Sequence, residues 1–153
     1  MNRIAMRTVF GVLFLLAGMM LSAQTEKKPE MLTKETFLKK VWDFEKNPTE
    51  WVYEGDKPCI IDFYADWCGP CRKIAPYMEE FMTEYAGKII VYKINTDQQK
   101  ELAGIFQARN IPMVLFVPKK GQPEKRVGAY PKEQYQEFIE TILLGKPAQK
   151  SNE

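Results

Sequence analysis

Residues 59–72 read Cys-Ile-Ile-Asp-Phe-Tyr-Ala-Asp-Trp-Cys-Gly-Pro-Cys-Arg. The first seven form an apolar run interrupted by one acid, Asp62, the pattern of a strand buried on both faces. After Trp67 the pattern changes to a helix. Pro70 fits a first helical turn, where its missing N–H has no partner to lose, and from Arg72 onward Ile74, Met78, Phe81, Met82 and Tyr85 recur on one face until Gly87. Two thiols, Cys68 and Cys71, therefore fall where a buried strand meets a helix. Free backbone N–H groups and the helix dipole at that junction stabilise a Cys68 thiolate, the attacking form of a thiol. Cys71, about one turn further on, is near enough to resolve a mixed disulfide formed by Cys68. Gly69 and Pro70 separate the sulfurs, Pro70 stiffens the loop, and Trp67 offers an apolar rim on which a partner can rest.

Outward from this junction the same two periods alternate. Residues 89–94 and 113–117 are further β-branched runs, and residues 97–108 place Leu102, Ile105 and Phe106 at helical spacing. Strand, helix, strand, helix, strand is an α/β arrangement with parallel crossovers. Residues 118–123 then form a hairpin turn and 124–129 an edge strand. Pro131 opens a last helix with Tyr135, Phe138, Ile139, Ile142 and Leu143 on one face, closed by Gly145 and Pro147. Upstream, Thr33 is an N-cap for a first helix expected to run to about Lys46, stopped by Asn47-Pro48; residues 54–58 are a turn. One domain over residues 31–145 is expected, with a flexible lead-in at 24–30 and a mobile tail at 146–153.

The first 23 residues carry the marks of a cleaved secretory signal peptide. Arg3 and Arg7 precede the uncharged, thirteen-residue apolar run 9–21, and Ser22-Ala23-Gln24 supplies a small residue for cleavage after Ala23. Thirteen residues fall short of the roughly 20 a membrane-crossing helix needs, although an uncleaved anchor is the alternative. The mature chain is expected in a periplasmic space, outside the cytosolic glutathione pool. Removing the leader's two arginines from 22 Lys+Arg leaves 20 against 20 Asp+Glu, interspersed along the chain. That balance excludes a phosphate-backbone binder, so no nucleic acid is expected as a partner.

Three cysteines, Cys59, Cys68 and Cys71, and no histidine exclude a disulfide-framework miniprotein, histidine-based triads and haem ligation by His. No metal site and no cofactor are expected. Cys59 stands six strand steps, roughly 20 Å, from the catalytic end of its strand, while a disulfide needs Cα atoms within about 7 Å. It is expected to be a structural thiol.

The run from Ile61 to Arg72 resembles the active-site signature of the thioredoxin family nearly residue for residue, and the resemblance extends through Lys93, Ile111-Pro112 and Val127-Gly128-Ala129 to the last helix. In particular it resembles the exported thioredoxins of Gram-negative bacteria. It implies a thioredoxin fold, a central mixed β-sheet flanked by helices, with thiol-disulfide chemistry at Cys68 and Cys71. In such proteins the acid matching Asp62 lies beneath the second cysteine and helps it lose its proton, with Lys93 nearby. As a lone carboxylate in a buried strand, Asp62 is expected to hold its proton more tightly than usual. Pro112, at the entry of a buried strand, is expected to follow a cis bond; the backbone at Ile111 would pair with extended substrate, and Gly128-Ala129 would complete that docking surface. Tyr64 in place of a common Trp, Met113 after Pro112, the lack of a first strand before Cys59 and an apparent insertion at 42–58 depart from the family's pattern.

These readings converge on a monomeric protein-disulfide reductase that acts on disulfide-containing exported proteins and takes electrons from a membrane thiol-disulfide donor. Gly69-Pro70 is the dipeptide of the family's reducing members. Disulfide oxidation or isomerisation, a dedicated cytochrome c maturation role and a non-enzymatic binding module are the alternatives.

Overall fold

A computed structural model of the chain describes residues 28–147. The leader expected at 1–23, residues 24–27 of the lead-in and the tail from 148 lie outside the described residues. Strand β1 (Glu30–Met31), helix α1 (Lys34–Lys40), β2 (Cys59–Tyr64), α2 (Gly69–Glu84), β3 (Ile90–Asn95), α3 (Lys100–Ile105), β4 (Met113–Val117), β5 (Glu124–Val127) and α4 (Lys132–Phe138) follow one another, and a wide π turn, Ile139–Leu143, prolongs α4. The five strands form one mixed sheet in the order β1-β3-β2-β4-β5, with β1 and β2 parallel to β3, and β4 antiparallel to both β2 and β5. This is the α/β sheet that the sequence implies.

Because β2 is the central strand, its side chains alternate between two cores. Cys59, Ile61 and Phe63 join Phe37 of α1, Leu102 of α3, Leu115 and Val117. Ile60 joins Ile74, Met78 and Phe81 of α2, Val114, and Tyr135 and Ile139 of the last helix. Asp62 therefore points to the α2 side. Full burial of each large apolar side chain contributes about 1.5–3 kcal/mol, enough to fix the register of the strand.

The structure corrects several sequence expectations. A first strand does exist: Glu30 and Met31 pair with Tyr92 and Lys93, so the lead-in ends before Glu30. Two residues carry too little pattern to be seen as a strand. Helix α1 ends at Lys40 rather than near Lys46, because Val41 leaves helical geometry (φ −124°) and Trp42 donates to the Phe37 carbonyl that Val41 also uses. The aromatic spacing at Trp42 and Phe44 instead serves a cluster with Trp51 and Phe106, with ring centroids 5.1–6.5 Å apart. Segment 42–58 has no regular structure and folds back on itself: Trp42 Nε1 donates to the Glu50 carbonyl and the Glu54 amide donates to that of Val41. Helix α3 begins late because the Asn95 side chain takes the Asp97 and Gln98 amides in a turn. β5 stops at Val127, where Gly128 adopts φ +113°, a region glycine enters without strain. The tail is tied one residue further than expected, by the Lys146 amide to the Glu140 carbonyl.

Candidate functional site

Cys68 is the N-cap of α2, and Gly69 and Pro70 form its first turn. The Cys71 amide donates to Cys68 Sγ at 3.2 Å, so an otherwise unpartnered helix N–H is aimed at the first sulfur. The two cysteines are joined in a disulfide with Cα atoms 5.3 Å apart. Both are only 3% exposed. What separates the sulfurs is backbone position: Cys68 Sγ faces the open end of the helix, and Cys71 lies within its first turn.

Beside them, Trp67 is 70% exposed. Its indole Nε1 donates to Asp97 Oδ2 at 2.9 Å, and Arg72 Nη1 donates to the Asp66 carbonyl. The Ile111–Pro112 peptide is cis, and the Gly128 amide donates to the Pro112 carbonyl at 2.8 Å. Tyr135 Oη in turn donates to the Gly128 carbonyl at 2.9 Å, so α4 holds the loop that carries Ala129. Ile111 packs against the cluster of Ala65, Cys68 and Cys71. The structure thus gathers Trp67, Gly69, Ile111 and Pro112 around the disulfide, with Gly128-Ala129 joined to them through Pro112.

Asp62 is fully buried, with neither carboxylate oxygen in a hydrogen bond among the described residues. Lys93, its register partner on β3, places Nζ 3.8 Å from Asp62 Oδ2. Burial pushes the carboxyl up to about 6, and the Lys93 charge offsets only part of that. At the other end of β2, burial pushes the free Cys59 thiol up to about 12, against a smaller lowering by the Tyr53 hydroxyl. A thiol so held stays protonated and unreactive at neutral pH.

Asp97, Asn95 and Tyr135 support the site, yet sequence reading did not single them out. Asn95, a polar residue ending a buried strand, was the available signal; Tyr135 looked like one more apolar position of its helix. No group of three or more metal-ligating side chains occurs among the described residues.

Paired thiols at a strand–helix junction, one capping the helix, beside a cis-Pro loop define a thiol-disulfide oxidoreductase. The sequence profile described as Thioredoxin matches residues 31–141. Thioredoxin of Borreliella burgdorferi is 38% identical over 112 residues, covering 73% of this chain and 95% of its own. A chloroplastic M-type thioredoxin of Spinacia oleracea is 45% identical over 94 residues, which cover 61% of this chain and 52% of that one. The crystal structure of chloroplastic thioredoxin z superposes with a TM-score of 0.61 at 25% identity, over 76% of this chain and 95% of that one. The chain belongs to the thioredoxin family. It is a protein-disulfide reductase of the thioredoxin type.

Proposed function

We propose that this reductase is exported, cleaved after Ala23, and reduces disulfides of exported proteins as a monomer in the periplasm. The observation that carries the reading is the leader pattern, Arg3 and Arg7 followed by the apolar run 9–21 and Ser22-Ala23. In the reduced protein, the Cys68 thiolate attacks one sulfur of the substrate disulfide, forming a mixed disulfide and releasing the other sulfur as a thiolate that takes a proton from water. Cys71 gives its proton to Asp62 and attacks Cys68 Sγ, which forms the Cys68–Cys71 disulfide and expels the second substrate sulfur as a thiolate, which takes up the proton held by Asp62. Asp62 suits this role because it is buried, has no hydrogen-bond partner among the described residues and, at about 6, is ionised at neutral pH while still basic enough to take a proton. Ile111, Gly128 and Ala129 seat the extended substrate segment and Trp67 supports its side chains. A membrane protein with a dithiol returns two electrons and two protons to the disulfide.

Export is tested by expressing the full chain in a Gram-negative host, fractionating the cells and sequencing the N-terminus. A periplasmic product beginning at Gln24 is expected. A product that keeps Met1 and stays in the cytoplasm would overturn the reading.

A further inference from the structure

Asp62 and Tyr64, two residues apart on β2, point to the same side of the sheet, and Lys93 on β3 lies between their side chains. Lys93 Nζ stands 4.2 Å from the Tyr64 ring centroid, well inside the range of a cation–π contact. It stands 3.8 Å from Asp62 Oδ2, beyond hydrogen-bond distance. The ammonium is therefore engaged by the ring and only partly by the acid. The ring is itself held. Tyr64 Oη points at Met31 Sδ of β1 at 3.7 Å, and the Tyr64 carbonyl accepts from the Thr96 amide and hydroxyl. Tyr64 also packs against the cluster of Ala65, Cys68 and Cys71.

We propose that Tyr64 is a positioning residue whose ring shares the Lys93 ammonium with Asp62 and so sets the pH range in which Asp62 takes the proton of Cys71. The proposal rests on the role given to Asp62 above. The other groups around Asp62 leave this arrangement in charge. Its register partner on β4 is Val114, which brings no charge. From α4, Tyr135 faces it with a hydroxyl already committed to the Gly128 carbonyl, and the buried ring keeps its own proton up to about 12. On the side of Tyr64, Asp66 accepts from Asn95 Nδ2 at 3.5 Å. From α2, on the same side of the sheet, comes Cys71. Without the ring, the ammonium loses a partner and moves onto the carboxylate, which then gives up its proton at lower pH.

The test follows the Asp62 carboxyl carbon by NMR across pH in the reduced protein, beside the pH profile of single-turnover disulfide reduction. Tyr64→Leu is expected to lower both midpoints by about one pH unit, the scale of an opposite charge brought into contact. Tyr64→Met serves as a second ring-free variant should the first not fold, and Tyr64→Phe, which keeps the ring, should retain the wild-type midpoints. In a Lys93→Met background the shift caused by Tyr64→Leu should vanish. An unmoved midpoint in both ring-free variants overturns the proposal, as does a shift that persists without Lys93, which would mean hydration of Asp62 through the vacated space. A carboxyl midpoint that moves while the turnover profile stays fixed instead overturns the role of Asp62 on which the proposal depends.

Discussion

On the side of the sheet facing α1 and α3, β2 places Cys59, Ile61 and Phe63 among apolar partners, whereas on the side facing α2 and α4 it places Ile60, Asp62 and Tyr64. Both sides bury a titratable group almost completely, and on both burial opposes the charged form, raising Cys59 to about 12 and Asp62 to about 6. The outcomes differ because of what lies within reach. Cys59 has only the Tyr53 hydroxyl to set against burial, and so stays a neutral filler. Asp62 has the Lys93 ammonium at 3.8 Å, and its side of the sheet carries the helix that starts at the disulfide. Burial makes a group unusual, and its neighbours decide whether that is useful.

The largest expected effect removes the chemistry while leaving both cores alone. Cys68→Ser should lower disulfide reductase turnover by at least about three orders of magnitude, as loss of a nucleophile does. Cys71→Ser should instead accumulate mixed disulfides with partner proteins, visible by non-reducing electrophoresis and mass mapping. Equal trapping by both variants would reverse or abolish the assignment that rests on the N-cap position of Cys68.

The next effect belongs to the apolar side. Phe37 is fully buried against Phe44 and Phe106, and Phe37→Ala should cost about 3–5 kcal/mol in denaturant unfolding. The redox potential of the folded fraction should not move. A shifted potential would show that the two sides of the sheet are not separable in this way.

On the polar side the sign reverses. The folded-state carboxyl of Asp62 lies above its ordinary value of 3.8, so the native state binds this proton more tightly than the unfolded chain does. Its contribution to stability is full below about pH 4 and is lost as pH rises through about 6. Asp62→Asn should therefore gain stability over the wild type across that interval, by at most about 3 kcal/mol, and level off above it. Turnover at neutral pH should fall. Unfolding curves at pH 4, 6 and 8 with matched kinetics check both, and a stability difference independent of pH would show that Asp62 is not desolvated.

The smallest effect is expected at Cys59. Cys59→Ala should keep reductase activity near wild type and cost only about 1 kcal/mol for the lost sulfur contacts. Mass mapping of the oxidised protein should join Cys68 to Cys71 and leave Cys59 free, as in the structure. A native bridge from Cys59 to either would break the comparison at its base.

The long periodic elements and the Cys-Gly-Pro-Cys junction were legible because each carries its own pattern: β2, β4 and α2 are read directly from apolar runs and a helical stripe. β1 escaped because two residues hold no period, and its pairing with β3 is decided by tertiary contact. The first helix was read too long because Trp42 and Phe44 obey helical spacing while packing in a non-helical aromatic cluster. At the site, the cysteines, Asp62 and Pro112 stand out by residue type and context. Asp97 and the Lys93–Tyr64 contact do not, since a hydrogen bond across 30 residues and an ammonium above a ring exist only once the sheet has brought them together.

The measurement that tests the central reading most directly is the equilibrium potential of the Cys68–Cys71 couple against glutathione. A protein-disulfide reductase should lie at or below about −230 mV, near the value of about −270 mV characteristic of thioredoxin. A potential above that bound, toward the roughly −120 mV of a strong periplasmic oxidant, would contradict a reducing role.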